Sequence, residues 1–138
     1  MAADWHAEGL QWLLEAAFSE EQSVPANFYI GLATDASLAE TASLGDQTEV
    51  SGTSYARQAV ASSAVGFISA ATGTNDRKVT TAEVTFTAGG TWTGAVTAFL
   101  ATTIDDSGVL IASTQLSETR TLLINNTLSF KFELTQTG

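Results

Sequence analysis

The chain has no cysteine, one proline, one histidine and five basic residues among 138. Without cysteine there is no disulfide framework, thiolate zinc site or cysteine nucleophile. The lone histidine, His6, rules out a histidine-rich metal site and leaves one candidate for imidazole acid–base work. Five Lys and Arg stand against fifteen Asp and Glu, a net charge of −10. No basic footprint for nucleic acid can be built from that set, and anionic lipid repels it. No run reaches the roughly 18 apolar residues of a membrane span. The first residues carry acids and lack the positive and apolar regions of a secretory leader, so none is expected.

What remains is a packable chain. It is 44% hydrophobic and 14% charged, outside the composition range of disorder. One domain over 1–138 is expected from the length. The acidity is uneven. Residues 1–50 hold nine acids and no base, while the remaining 88 hold six acids and five bases. That acidic third reads either as a solvated face or as a docking face for a basic partner.

Residues 4–18 read as a helix, with Asp4 at its start. At 100° per residue, Asp4, Glu8, Gln11 and Glu15 form a polar stripe. Trp5, Gly9, Trp12, Leu13 and Ala16 form an apolar band, which Leu10, Leu14, Ala17 and Phe18 widen to half the helix. Either both flanks pack inside the domain, or the Trp5/Trp12 edge packs on another subunit. His6 falls within the arc as a packing residue. Pro25 helps end this region. Residues 35–52 form a long acidic loop, either an arm over a neighbour or a mobile surface segment.

The rest reads as strands. Residues 27–34 place Phe28, Ile30 and Leu32 on one face, and Gly31 signals either a close approach by another segment or a bulge. Further strands are expected at 55–62, 64–69, 77–87, 94–102, 109–113, 119–124 and 127–135. In the last, Leu128, Phe130, Phe132 and Leu134 alternate with polar residues. Asp105-Asp106-Ser107-Gly108 and Asn125-Asn126 are turns. Seven or eight short strands with regular turns predict a mainly β protein: an antiparallel β-sandwich, jelly-roll or related, with one N-terminal helix.

No catalytic constellation, metal-ligand spacing or phosphate loop is present, so no enzyme, metal or cofactor is expected. The segment that stands out runs from Glu49-Val50-Ser51-Gly52 to Tyr55-Ala56-Arg57-Gln58. Arg57 is the first base after nine acids. An Arg–carboxylate fork there would pin the preceding loop to the sheet.

Three segments carry a resemblance: Asn27-Phe28-Tyr29-Ile30-Gly31-Leu32-Ala33-Thr34, the Glu49–Gln58 run, and Thr91-Trp92-Thr93-Gly94-Ala95-Val96-Thr97-Ala98-Phe99. Together they resemble a family of small tailed-phage virion proteins, of tail-fibre-like or structural type. Its members carry "LYVALFT", "EVSGGxYARQ" and "W-G-x-V-T-x-F" segments. The aromatic-Asp turn that usually follows is replaced here by Leu100-Ala101-Thr102-Thr103-Ile104-Asp105.

The resemblance implies a non-enzymatic virion component, assembled in the host bacterial cytoplasm. The leading expectation is a capsid decoration or cement protein, a homotrimer whose acidic segment docks on the major capsid protein. A tail, neck or fibre-base protein is the alternative. A carbohydrate-binding module, with Trp5, Trp12, Trp92 and Tyr55 stacking on sugars, is the second. The candidate interface residues are Trp5, Trp12, Leu13, Tyr55, Arg57 and Trp92.

Overall fold

The computed structural model describes residues 2–136. Its strands are β1 (Ala2–Trp5), β2 (Asn27–Ala33), β3 (Gln58–Ala61), β4 (Phe67–Ala71), β5 (Arg77–Thr81), β6 (Val84–Thr87), β7 (Trp92–Ala101), β8 (Leu110–Leu122), β9 (Thr127–Phe130) and β10 (Glu133–Gln136). The helix α1 spans Ala7–Leu14 and continues as a π-helical turn, Glu15–Ser19. Eight strands form one mostly antiparallel sheet in the order β3-β2-β7-β8-β1-β10-β5-β4, nearly closed into a barrel. β6 and β9 make a separate two-stranded ribbon. The mainly β class with one N-terminal helix is as the alternation and turn spacing predict.

Three boundaries differ, each for a physical reason. Residues 2–5 are a strand, so Trp5 does not share a helix face with Trp12, and Asp4 does not cap. β1 pairs parallel with β10 and antiparallel with β8, joining the two halves of the sheet. Backbone pairing from both sides outweighs the helical periodicity of its four residues. The helix starts instead at His6, whose extended backbone precedes Ala7 and whose side chain makes no cap.

Residues 127–135 are not one strand but two, and 77–87 divides at the same level. Thr81 N–H donates to the Phe132 carbonyl, and Phe132 N–H donates to Thr81 Oγ1. Both chains turn a corner at this pair, and fully buried Phe132 fills the inside of the bend. β5 and β10 stay in the barrel, while β6 and β9 cross to the ribbon, as strands do at the corners of packed sheets. Conversely, 109–113 and 119–124 merge into the thirteen-residue β8.

The 35–52 loop folds back on its own chain. Leu44 and Val50 are buried. Thr34 N–H donates to the Thr48 carbonyl and Val50 N–H to that of Leu32, extending the edge of β2. The Asp35 carboxylate accepts from Thr48 N–H, and Asp46 closes a capping box on the 3-10 turn Leu44–Asp46. Two acids of this segment, Asp35 and Asp46, are thus spent on backbone donors.

Two glycines mark close approaches. At Gly31 a Cβ would strike the Phe99 ring, so the strand reading of that residue holds. At Gly9 it would strike the backbone of Ile111, so α1 lies directly on β8. The Glu8 carboxylate fastens this contact by accepting from Leu44 N–H at 3.0 Å and Leu110 N–H at 2.5 Å.

Candidate functional site

Arg57 is the hub of the chain's most distinctive motif. It sits just before β3, is 6% exposed, and reaches two separate loops. Its Nε donates to Glu49 Oε1 at 2.9 Å and its Nη2 to Glu49 Oε2 at 3.0 Å, a bidentate fork. Nη2 also donates to Asp106 Oδ1, and Nη1 donates to the carbonyls of Thr103 and Asp105. The guanidinium lies 5.1 Å from the Phe99 ring centre. Burial opposes its charge, but the hydrogen bonds to Glu49 and Asp106 outweigh burial and raise its pKa.

Tyr55 completes the motif. Its hydroxyl donates to Glu49 Oε1 at 2.7 Å and accepts from Leu32 N–H at 2.9 Å. Burial, followed by the effect of Glu49, pushes the phenol pKa far up, so it stays protonated. Its ring packs edge-on to Trp92, centroids 5.4 Å apart, and stacks on Phe86. Trp92 is 1% exposed and its Nε1 donates to the Thr53 carbonyl at 2.9 Å. A Cβ on Gly52 would enter the Trp92 indole, which explains the glycine of the motif. Gly94 has φ +75°, and a register shift between Trp92 and Ala95 bulges β7 there. The second and third segments of the resemblance therefore meet as one packing unit. The expected Arg–carboxylate fork is present, with Glu49 as partner.

The Asp105–Gly108 turn is held internally. Asp105 Oδ1 accepts from Ser107 N–H and Oγ, which lowers the carboxyl pKa. Among the described residues no group of three or more His, Asp or Glu side chains is arranged to hold a metal.

A second feature lies where α1 meets the barrel. Trp5, Trp12, Leu13, Phe28, Phe67 and Leu134 line an open, largely apolar cavity of about 330 Å³. Trp12 packs edge-on to Phe28, and Phe28 to Phe67, at 5.7 and 5.4 Å between centroids. Trp5 Nε1 donates to the Thr135 carbonyl at 2.9 Å. Exposed Arg77 also borders the cavity.

The six candidate interface residues thus divide between two places. Tyr55, Arg57 and Trp92 belong to the clamp; Trp5, Trp12 and Leu13 line the cavity. Trp12, Arg57 and Trp92 offer almost no surface, whereas Leu13 is 42% exposed. Trp12 and Trp92 are too enclosed to stack on a sugar. Sequence reasoning missed Glu8 as a staple, because it sits in a stripe of exposed polar residues. The apolar Leu38, Leu44 and Val50 in the acidic loop were the available signs that this loop packs inward.

His6 is also internal. It is 1% exposed, and its Nε2 lies 2.7 Å from Ser113 Oγ. Nδ1 is buried without a hydrogen-bond partner. Burial lowers its pKa. Enclosed on all sides, this pair presents no surface to a substrate.

No curated protein matches the chain. A family model described as podophage GP4 fiber I protein gp80 matches residues 7–137, nearly the whole length. That span takes in the Arg57 clamp, α1 and all but the first strand, so the chain belongs to this phage structural protein family.

Proposed function

We propose that the chain is a non-enzymatic structural component of a bacteriophage virion, placed in its tail-fibre assembly and using no cofactor. The observation that carries this is the family match over residues 7–137, since the family is named for a fibre protein. The clamp supports a structural role: the motif that would be the natural candidate for chemistry is consumed in tying Glu49, Arg57 and Asp106 together. Its partners are other proteins of the virion and further copies of itself, assembled in the host cytoplasm. The capsid-decoration reading has no comparable support, because nothing in the family description refers to a capsid.

Gold-labelled antibody against the chain, imaged on purified particles, tests this reading. Label at the tail is the expected result. Label spread over the head would overturn the fibre placement in favour of decoration. Absence of the chain from particles, by mass spectrometry, would overturn both.

A further inference from the structure

The cavity beneath α1 and the turn that follows α1 complement each other, yet they do not meet within one chain. Phe18, in the π-helical turn, is 82% exposed, and Leu14 beside it is 58% exposed. An aromatic side chain left in water at the end of a helix is an anchor without a pocket. Five residues back, Leu13 lines an apolar cavity of about 330 Å³ that is open and has room for such a ring.

We propose that the Glu15–Glu21 turn of one copy docks into this cavity on a second copy. Phe18 enters between Trp5, Leu13 and Leu134, and Glu20 and Glu21 face Arg77. The proposal rests on the self-association part of the reading above and supplies its contact.

Charge favours this occupant over any other. The chain carries only five bases. Arg57 is locked in the clamp, and of the other four Arg77 lines the cavity, from β5. It donates to the Asp76 carbonyl and stays exposed, while its neighbour Lys78 turns to the other face of the strand and pairs with Glu133. Glu20 and Glu21 follow the C-terminal end of the helix, where no base offsets them, whereas the Glu15 carboxylate is held by Gln11 and Gln22. Acids at that end oppose the helix dipole, so this charge does not serve the helix itself. Glu20 also holds a left-handed backbone, φ 57°, and the preceding turn is π-helical. Both are features that fold stability alone disfavours. Anchor, socket and both charges lie on one chain, so no further molecule is needed to supply the complement.

Anchor and socket lie close together on one chain, so the contact closes either as a reciprocal twofold dimer, each Phe18 entering the cavity of the other copy, or as a head-to-tail ring of three or more copies.

The test is the solution mass of the full chain over a concentration series, by light scattering. The expected mass rises with concentration from the 14.4 kDa of one chain to that of a closed dimer or ring. Phe18→Ser should weaken association by about thirty-fold or more, the scale of an aromatic anchor, while its melting curve matches that of the wild-type chain at concentrations where both are monomeric. R77E should also dissociate the assembly, and adding E20R and E21R to it should restore the mass. Because the chain has no cysteine, mixing S19C and Q136C proteins under oxidation reports this contact alone; the mixed disulfide is expected to dominate. A wild-type chain that stays at its monomer mass overturns the proposal, as does a folded Phe18→Ser protein that keeps the larger mass. So does disulfide formation through S19C pairs only. Monomeric chain in solution together with label on the tail would reject the contact and leave the fibre placement standing.

Discussion

The clamp around Arg57 and the cavity beneath α1 are both built from residues that look like assembly surface in the sequence. They differ in what they leave unmet. At the clamp Arg57, Glu49 and Tyr55 satisfy one another, and the Trp92 indole finds the Thr53 carbonyl. At α1 the walls are apolar, the cavity is open, and Phe18 stands in water. A polar motif whose donors and acceptors close on themselves serves the fold. Apolar surface and charge left without a counterpart are what a partner can use.

The largest effect that sharpens this contrast belongs to the clamp. Arg57→Ala leaves Glu49 and two loop carbonyls without their donor. It should cost about 3–5 kcal/mol, the range for breaking a buried pair from one side, measured by urea unfolding. Asp106→Ala removes a partner whose side chain is 60% exposed and should cost about 1 kcal/mol or less. Equal losses would make the clamp a surface feature and erase the distinction.

Next in size is Gly52→Ala. Its methyl group must displace the Trp92 ring, with an overpacking cost of about 1–3 kcal/mol and a shift in tryptophan emission. A neutral result would mean that the motif glycine is not set by packing.

A smaller effect should appear with pH. Burial holds the His6 pKa below its ordinary value of 6.5. The folded state therefore favours neutral imidazole, and the unfolded chain binds the proton more readily. The contribution to stability is present in full above about pH 6.5 and is lost as pH falls through the folded pKa. Melting temperatures from pH 8 to 5 should fall more steeply for the native chain than for His6→Gln. Parallel curves would show that this buried ring is not what acid disturbs.

The smallest expected change in stability is at the other region. Phe18→Ser should alter unfolding of the monomer by no more than about 0.5 kcal/mol, as an exposed site does, while it weakens association by about thirty-fold or more. A large loss of stability would show that Phe18 serves the fold, and the two regions would no longer differ in kind.

Much of the β structure was legible because burial on one face imposes a period of two. β6 shows it, with Val84 and Phe86 buried and Thr85 and Thr87 exposed, whereas the second halves of β2 and β7, which pair with each other, are buried on both faces. The Arg57 fork was legible because a single base after nine acids has few other uses. Its partner was not, since Glu49 competes with eight other acids and only the fold brings it into reach. The corner at Thr81 and Phe132 was invisible because alternation passes through it unbroken; a reciprocal pair of hydrogen bonds sets the bend. β1 was misread because Trp5 satisfies a helical period by chance, and its pairing partners lie more than 100 residues away in sequence. The cavity was hidden for the same reason, as its walls come from α1, β1, β2, β4, β5, β7, β8 and β10.

The central claim is that the α1 end meets partners while the clamp end holds the fold. Hydroxyl-radical footprinting of the isolated monomeric chain and of the assembled particle, read by mass spectrometry, tests it directly. Leu14 and Phe18 should lose reactivity on assembly, while Tyr55 and Trp92 stay equally protected in both states. Unchanged reactivity at Phe18, together with new protection confined to the loops around Arg57, would contradict the account.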